Sequence, residues 1–140
     1  MKYLEITSID TAKLSAEASL SRGAKDVVIL DLRKIASFTD FFMICTGNSS
    51  RHLEGITNAI LEKLKENEIK PWHIEGEQDA DWVLLDYVDV VVHLFLEETR
   101  EFYSLERIWA DTPHIELPEV AEVEYDEEFD ELDELLDELE

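Results

Sequence analysis

A single cysteine, Cys45, stands among the 140 residues, so no disulfide can form within the chain and the fold must rest on its apolar core. Four glycines and three prolines are too few for a collagen-like or low-complexity chain. Basic residues are scarce: 12 against 35 acids, for a formal net charge of -23. Nucleic-acid binding rests on neutralising phosphates, and this balance argues against a general binder of free nucleic acid. A basic protein partner is expected instead. No apolar run approaches the ~20 residues that a membrane span requires. The opening stretch from Met1 to Asp10 carries acids where a signal peptide would be apolar. Together these absences predict a cytoplasmic protein with no membrane contact.

A hydrophobic fraction of 45% suffices for one core, and the chain divides at Pro118. Residues 1–118 read as one α/β domain. Residues 119–140 hold 13 of the 35 acids and no basic residue, yet Phe129, Leu132, Leu136 and Leu139 recur at helical steps. An acidic tail with one apolar seam is expected to repel itself open unless a partner receives that seam.

Within the domain, Ile9, Ala12, Ala16 and Leu20 mark a helix from about Ile9 to Arg22, with Gly23 at its C-terminal cap. Val27 to Leu32 is apolar on both faces and predicts an interior strand. A second helix from Ser50 to Asn67 buries Leu53, Ile56, Ile60, Leu61 and Leu64, and Pro71 bars its extension. Trp72 to Ile74 gives a short strand. The runs Ala80 to Tyr87 and Val90 to Leu96 are joined so briefly that they predict an antiparallel hairpin. Glu97 to Ala110 returns to helical spacing, with Phe102, Leu105, Ile108 and Trp109 as its stripe. The expected fold is α/β, a mixed sheet of about five strands flanked by helices.

The centre of this plan is the stretch from Asp40 to His52. Phe41 to Cys45 predicts a buried strand, Gly47 a turn with positive φ, and Ser49 or Ser50 the N-cap of the second helix, with Glu54 near capping-box distance. A glycine turn feeding a helix N-terminus is either a capped connection or a phosphate cradle. The turn contains no lysine and only Arg51 is near, which favours the capped connection.

Chemistry is sparse elsewhere. His52, His73, His93 and His114 fall singly in different elements, so no metal or other cofactor is expected. Cys45 and His52 would be a nucleophile pair only with a third group to orient the histidine, and Cys45 reads as a buried hydrophobe. Asp79 and Asp81 precede a strand instead of alternating along one, unlike the metal-bridging acids of nucleotidyl transferases. No catalytic residue is predicted. Trp82, beside Asp81 at the start of a strand, is either a core filler or a partner anchor.

Several pieces taken in order carry a resemblance. They are Asp26 with Leu30-Asp31-Leu32, Thr39-Asp40, Cys45-Thr46-Gly47 with Ser49-Ser50-Arg51-His52, and Glu75-Gly76. Ala80-Asp81-Trp82, Asp86, Asp89-Val90 with Val92-His93, and Glu98 with Arg100, Tyr103, Leu105-Glu106 and Trp109 complete the series. From about Leu14 to Asp111 the chain resembles the ribosome silencing factors, or Iojap-like proteins. The resemblance implies a nucleotidyltransferase-like topology without catalysis. It also implies docking on large-subunit ribosomal protein fourteen, which keeps the small subunit from joining and represses translation when nutrients are short. By the same resemblance Trp82, Asp81, Leu84 and His93 become the expected partner contacts. Two other readings compete: a nucleotide-binding or nucleotidyl-transferring enzyme built on the Gly47 turn and nearby acids, and a homodimer formed through the apolar hairpin. One departure stands out, because the family usually has glycine at the hairpin turn where this chain has Val88. A turn that needs positive φ would strain valine.

Overall fold

The computed structural model describes residues 6–76, 80–104, 107, 110–120 and 123. Helix α1 spans Ser8–Ser21 and opens with a reciprocal cap in which Thr7 and Asp10 each bond the other's backbone N–H. Its buried face is made of small residues, Ala12, Ser15, Ala16 and Ser19, which lets the helix lie close to its neighbours. The two serine hydroxyls donate to the carbonyls of Ala12 and Ala16, so no polar group is stranded there. Gly23 follows the helix at φ 73, the left-handed conformation its place after the C-cap requires.

Strands β1 (Lys25–Asp31) and β2 (Phe41–Gly47) run antiparallel and lead into α2 (Ser50–Glu66). Leu53, Ile56, Ile60 and Leu64 of α2 are buried as their spacing predicts, and each contributes about 2 kcal/mol of burial. Leu61 is only partly buried. Strands β3 (His73–Glu75), β4 (Trp82–Asp86) and β5 (Val90–Leu96) follow, then α3 (Glu97–Tyr103) and β6 (His114–Ile115). The sheet order is β3-β4-β5-β2-β1-β6, with β2 and β5 parallel and the other pairs antiparallel. This is the mixed α/β sheet flanked by helices that the pattern predicts.

Alternation along the strands gives the sheet two apolar faces. Val27, Ile29, Phe41, Met43, Cys45, Val83, Leu85, Val92 and Leu94 face α1 and α2 and form the larger core. Leu30, Phe42, Ile44 and Phe95 point to the opposite face and join Leu32 in a smaller cluster. One end of this second face is closed by α3, whose Arg100 donates to the hydroxyl of Thr46 at 2.8 Å and to the carbonyl of Asp26 at 2.6 Å.

Four details differ from expectation. The sheet has six strands, because His114–Ile115 pairs with Leu30 and Ile29 of β1, and two residues carry no periodicity to find. The helix expected to run from Glu97 to Ala110 is broken at Ser104, which takes a left-handed φ of 45. Gly47 does not adopt positive φ; it is the last residue of β2, and a Cβ there would stand 2.8 Å from Leu53 Cδ2. Its function is close approach, not a reversed backbone. Finally, Ser49 is the N-cap of α2 and places His52, not Glu54, at the third helical position, so the capping box belongs to α1. Asp79, Leu105, Trp109 and the seam from Phe129 to Leu139 lie outside the described residues. Among the described residues no helix is long and apolar enough to cross a membrane.

Candidate docking surface

Register brings three of the four expected partner residues onto one face. In the β4/β5 hairpin Trp82 pairs with Phe95 and Leu84 with His93. Residues opposite one another point the same way, so Trp82, Leu84, His93 and Phe95 share the second face of the sheet. Trp82 and Leu84 are half-buried, while His93 and Phe95 lie beneath the surface. Asp81 is exposed at the entry to β4, and its carbonyl accepts from the N–H of Leu96.

The rings of this face touch in sequence. Trp82 stacks on Phe95 at 5.0 Å between centroids, and His93 lies parallel to Phe95 at 6.0 Å. Phe42 meets the His93 ring edge-on at 4.6 Å, and Phe38 follows at 6.0 Å from Phe42. The result is an aromatic ladder from the hairpin edge to the β1–β2 loop, ending in an exposed ring, Phe38. Trp82 is half-buried: one side of its ring packs over Phe95 and the residue keeps part of its surface exposed. Phe38, Phe42 and Phe95 are absent from the expected contacts. Phe42 and Phe95 lie in runs that read as apolar throughout, and the signal that sorts them is the two-residue alternation shared with Trp82 and His93.

Electrostatically, the ladder is apolar and neutral. The indole Nε1 of Trp82 donates to Nδ1 of His93 at 3.3 Å, which leaves the imidazole hydrogen on Nε2. Among the described residues that buried Nε2 has no hydrogen-bond partner. Burial drives the His93 pKa down to about 4, so the ring is uncharged at neutral pH. Acids border the face: Asp81 and Glu75 are exposed and Asp86 is half-buried.

Gly47, Ser49 and Ser50 are not part of this surface. They form the connection from β2 to α2 on the helical side, where Ser49 Oγ accepts from the N–H of His52. The N–H of Asn48 donates to His52 Nδ1 at 2.9 Å, and His52 Nε2 lies 2.7 Å from the carbonyl of Arg22. His52 therefore ties the turn to the end of α1, and two backbone donors that a phosphate would need are already engaged within the turn. Cys45 is fully buried on the helical face, and desolvation pushes its thiol up to about 12. It is a core side chain, not a nucleophile at neutral pH.

An α/β domain whose second sheet face, closed at one end by the short α3, carries a partly open aromatic patch has the make-up of a protein-binding module. Residues 5–137 match the family model of RsfS, described as ribosomal silencing factor during starvation. The chain is 39% identical to ribosomal silencing factor RsfS of Bacillus subtilis over 105 residues, covering 75% of this chain and 89% of that protein. It is 32% identical to the chloroplastic protein Iojap of Zea mays, covering 78% of this chain and 50% of that one. A crystal structure of a Chromobacterium violaceum protein superposes with a TM-score of 0.71 at 32% identity, covering 90% of this chain and 99% of that one. One from Bacillus halodurans gives 0.65 at 38% identity, covering 74% of this chain and 94% of that one. The chain belongs to the RsfS family of ribosomal silencing factors.

Proposed function

We propose that this protein is a ribosomal silencing factor that acts in the cytoplasm by occupancy, without catalysis. In this reading the second sheet face docks on large-subunit ribosomal protein fourteen and sterically blocks joining of the small subunit, repressing translation under nutrient limitation. The observation that carries it is the match of nearly the whole chain to a family of silencing factors. Supporting it is a face with the anatomy of a binding surface: half-buried Trp82 and Leu84 at the centre, and carboxylates of Asp81, Asp86 and Glu75 at the border. An acidic rim is attracted to a basic ribosomal protein and repelled by the surrounding RNA, which favours the protein patch. The silenced fraction then follows protein concentration relative to the dissociation constant.

The test is co-sedimentation with purified large subunits, followed by addition of small subunits. Bound protein should prevent association, and truncating Trp82 to alanine should weaken binding by about 2 kcal/mol or more. Full-rate association of subunits saturated with the protein would refute the blockade. Calorimetry with ATP and Mg²⁺ should give no specific heat, and a saturable signal would favour the nucleotide-binding alternative. Light scattering over a concentration series would report a homodimer through the hairpin.

A further inference from the structure

We propose that the docking surface does not end at Trp82 but continues along the aromatic ladder to Phe38, which acts as a second anchor on the same basic protein partner. The inference rests on the docking reading above and adds a residue and an extent to it. Phe38 is 62% exposed, a large apolar ring facing solvent in a loop whose Leu32, Ala36 and Thr39 pack inward. Its neighbour Ala36 packs against the second cluster, and Phe38 itself leans on Phe42.

The loop that presents this ring is held at both ends. The N–H of Leu32 donates to the carbonyl of Asp40 at 2.8 Å, and the N–H of Ala36 donates back to Leu32 at 2.9 Å. Arg33 is bound to Asp31 through two nitrogens and lies over the Phe41 ring at 5.0 Å, so its charge is largely offset and its position fixed. An aromatic ring presented by an ordered loop loses little conformational entropy on binding, which is the property of an anchor.

Scale supports one footprint for both rings. Trp82 lies level with Phe95, and Phe38 adjoins Phe42, which pairs with Val91 four residues down β5 and two strands across from Trp82. Strand rise and spacing put Phe42 about 16 Å from Trp82, and the Phe38 ring centre is 6.0 Å from that of Phe42. A standard interface of about 800 Å² per partner is roughly 32 Å across and would cover both anchors. Between them stand Leu84 and Val91, both half-buried, with His93 below.

The experiment measures binding of the full chain to purified large subunits for Phe38→Ala, Trp82→Ala and Ile35→Ala, with thermal melts to verify folding. Ile35 is 54% exposed in the same loop but belongs to no ring contact. Phe38→Ala should weaken binding about tenfold or more at unchanged melting temperature, Phe38→Tyr should restore most of it, and Ile35→Ala should change it less than threefold. Wild-type affinity in Phe38→Ala beside a weakened Trp82→Ala would overturn the second anchor and leave the docking reading standing. An equal loss in Ile35→Ala would overturn it too, by assigning the effect to the loop as a whole. Failure of the wild-type chain to bind would refute both.

Discussion

Trp82 and His93 are joined by a hydrogen bond from indole Nε1 to imidazole Nδ1 at 3.3 Å, made diagonally between β4 and β5 on the face proposed to dock. The bond fixes the indole from below, so the buried histidine sets the orientation of the tryptophan on that face. Trp82→Phe keeps a ring over Phe95 but removes the donor, and leaves Nδ1 buried without one. Urea unfolding should show a loss of about 1–2 kcal/mol, larger than the modest change in apolar area implies. Unchanged stability would mean that the bond contributes nothing and that the indole is oriented by stacking alone.

The pH dependence of stability follows from the same ring. In the unfolded chain His93 takes up its proton near the ordinary value of 6.5, whereas burial holds the native ring neutral until about pH 4. Between those values the unfolded state binds more protons, so stability falls as pH drops through that window and this term is constant above and below it. The full loss is about 3 kcal/mol. Subtracting the melting profile of His93→Gln isolates it from the titration of the many carboxylates. A difference profile that is flat from pH 7 to pH 4 would show that the native ring protonates without penalty.

Val88 turns the β4/β5 hairpin at φ 73, a conformation that costs a β-branched residue about 1–2 kcal/mol. The turn survives because the N–H of Val88 donates to Asp86 Oδ1 at 2.8 Å, Asp89 donates to the carbonyl of Tyr87, and Tyr87 donates to Val90. Val88 is exposed, so glycine there relieves the strain while sacrificing little packing. Val88→Gly should raise stability by about 1 kcal/mol net of the added freedom of the unfolded chain, read as a rise in melting temperature. A lower melting temperature would indicate that the valine side chain makes an unseen contribution.

The strain at Val88 was legible in the sequence, because the requirement of a tight hairpin turn for positive φ is local. Most of the fold was legible for the same reason. The stripe of α2, the two-faced apolar run of β1 and the short link between β4 and β5 are each encoded within a few neighbouring residues. What escaped is long-range. Pairing of His114–Ile115 with β1 joins residues far apart in sequence, and the use of His52 to bind Arg22 depends on where α1 ends. At the candidate surface, Trp82 could be singled out as a large residue beside polar neighbours. Phe42 and Phe38 could not, since the contact of Phe42 with His93 is set by the parallel pairing of β2 with β5, and Phe38 joins the ladder through Phe42.

Gly47 tests whether close packing or a special backbone is what the strand exit requires. Its φ is not in the left-handed region, so alanine meets no backbone penalty; the obstacle is Leu53, whose Cδ2 would lie 2.8 Å from the new Cβ and whose side chain is 1% exposed. His52 Nδ1, at 3.4 Å, can stay where it is. Leu53 must therefore turn within a filled core, and overpacking of this kind costs about 1–3 kcal/mol. Gly47→Ala should lose that amount in urea unfolding, and Leu53→Ala, which opens a cavity alone, should recover part of its own deficit when combined with it. Strict additivity of the two losses would show that the new methyl is accommodated elsewhere and that contact with Leu53 is not why glycine stands at the end of β2.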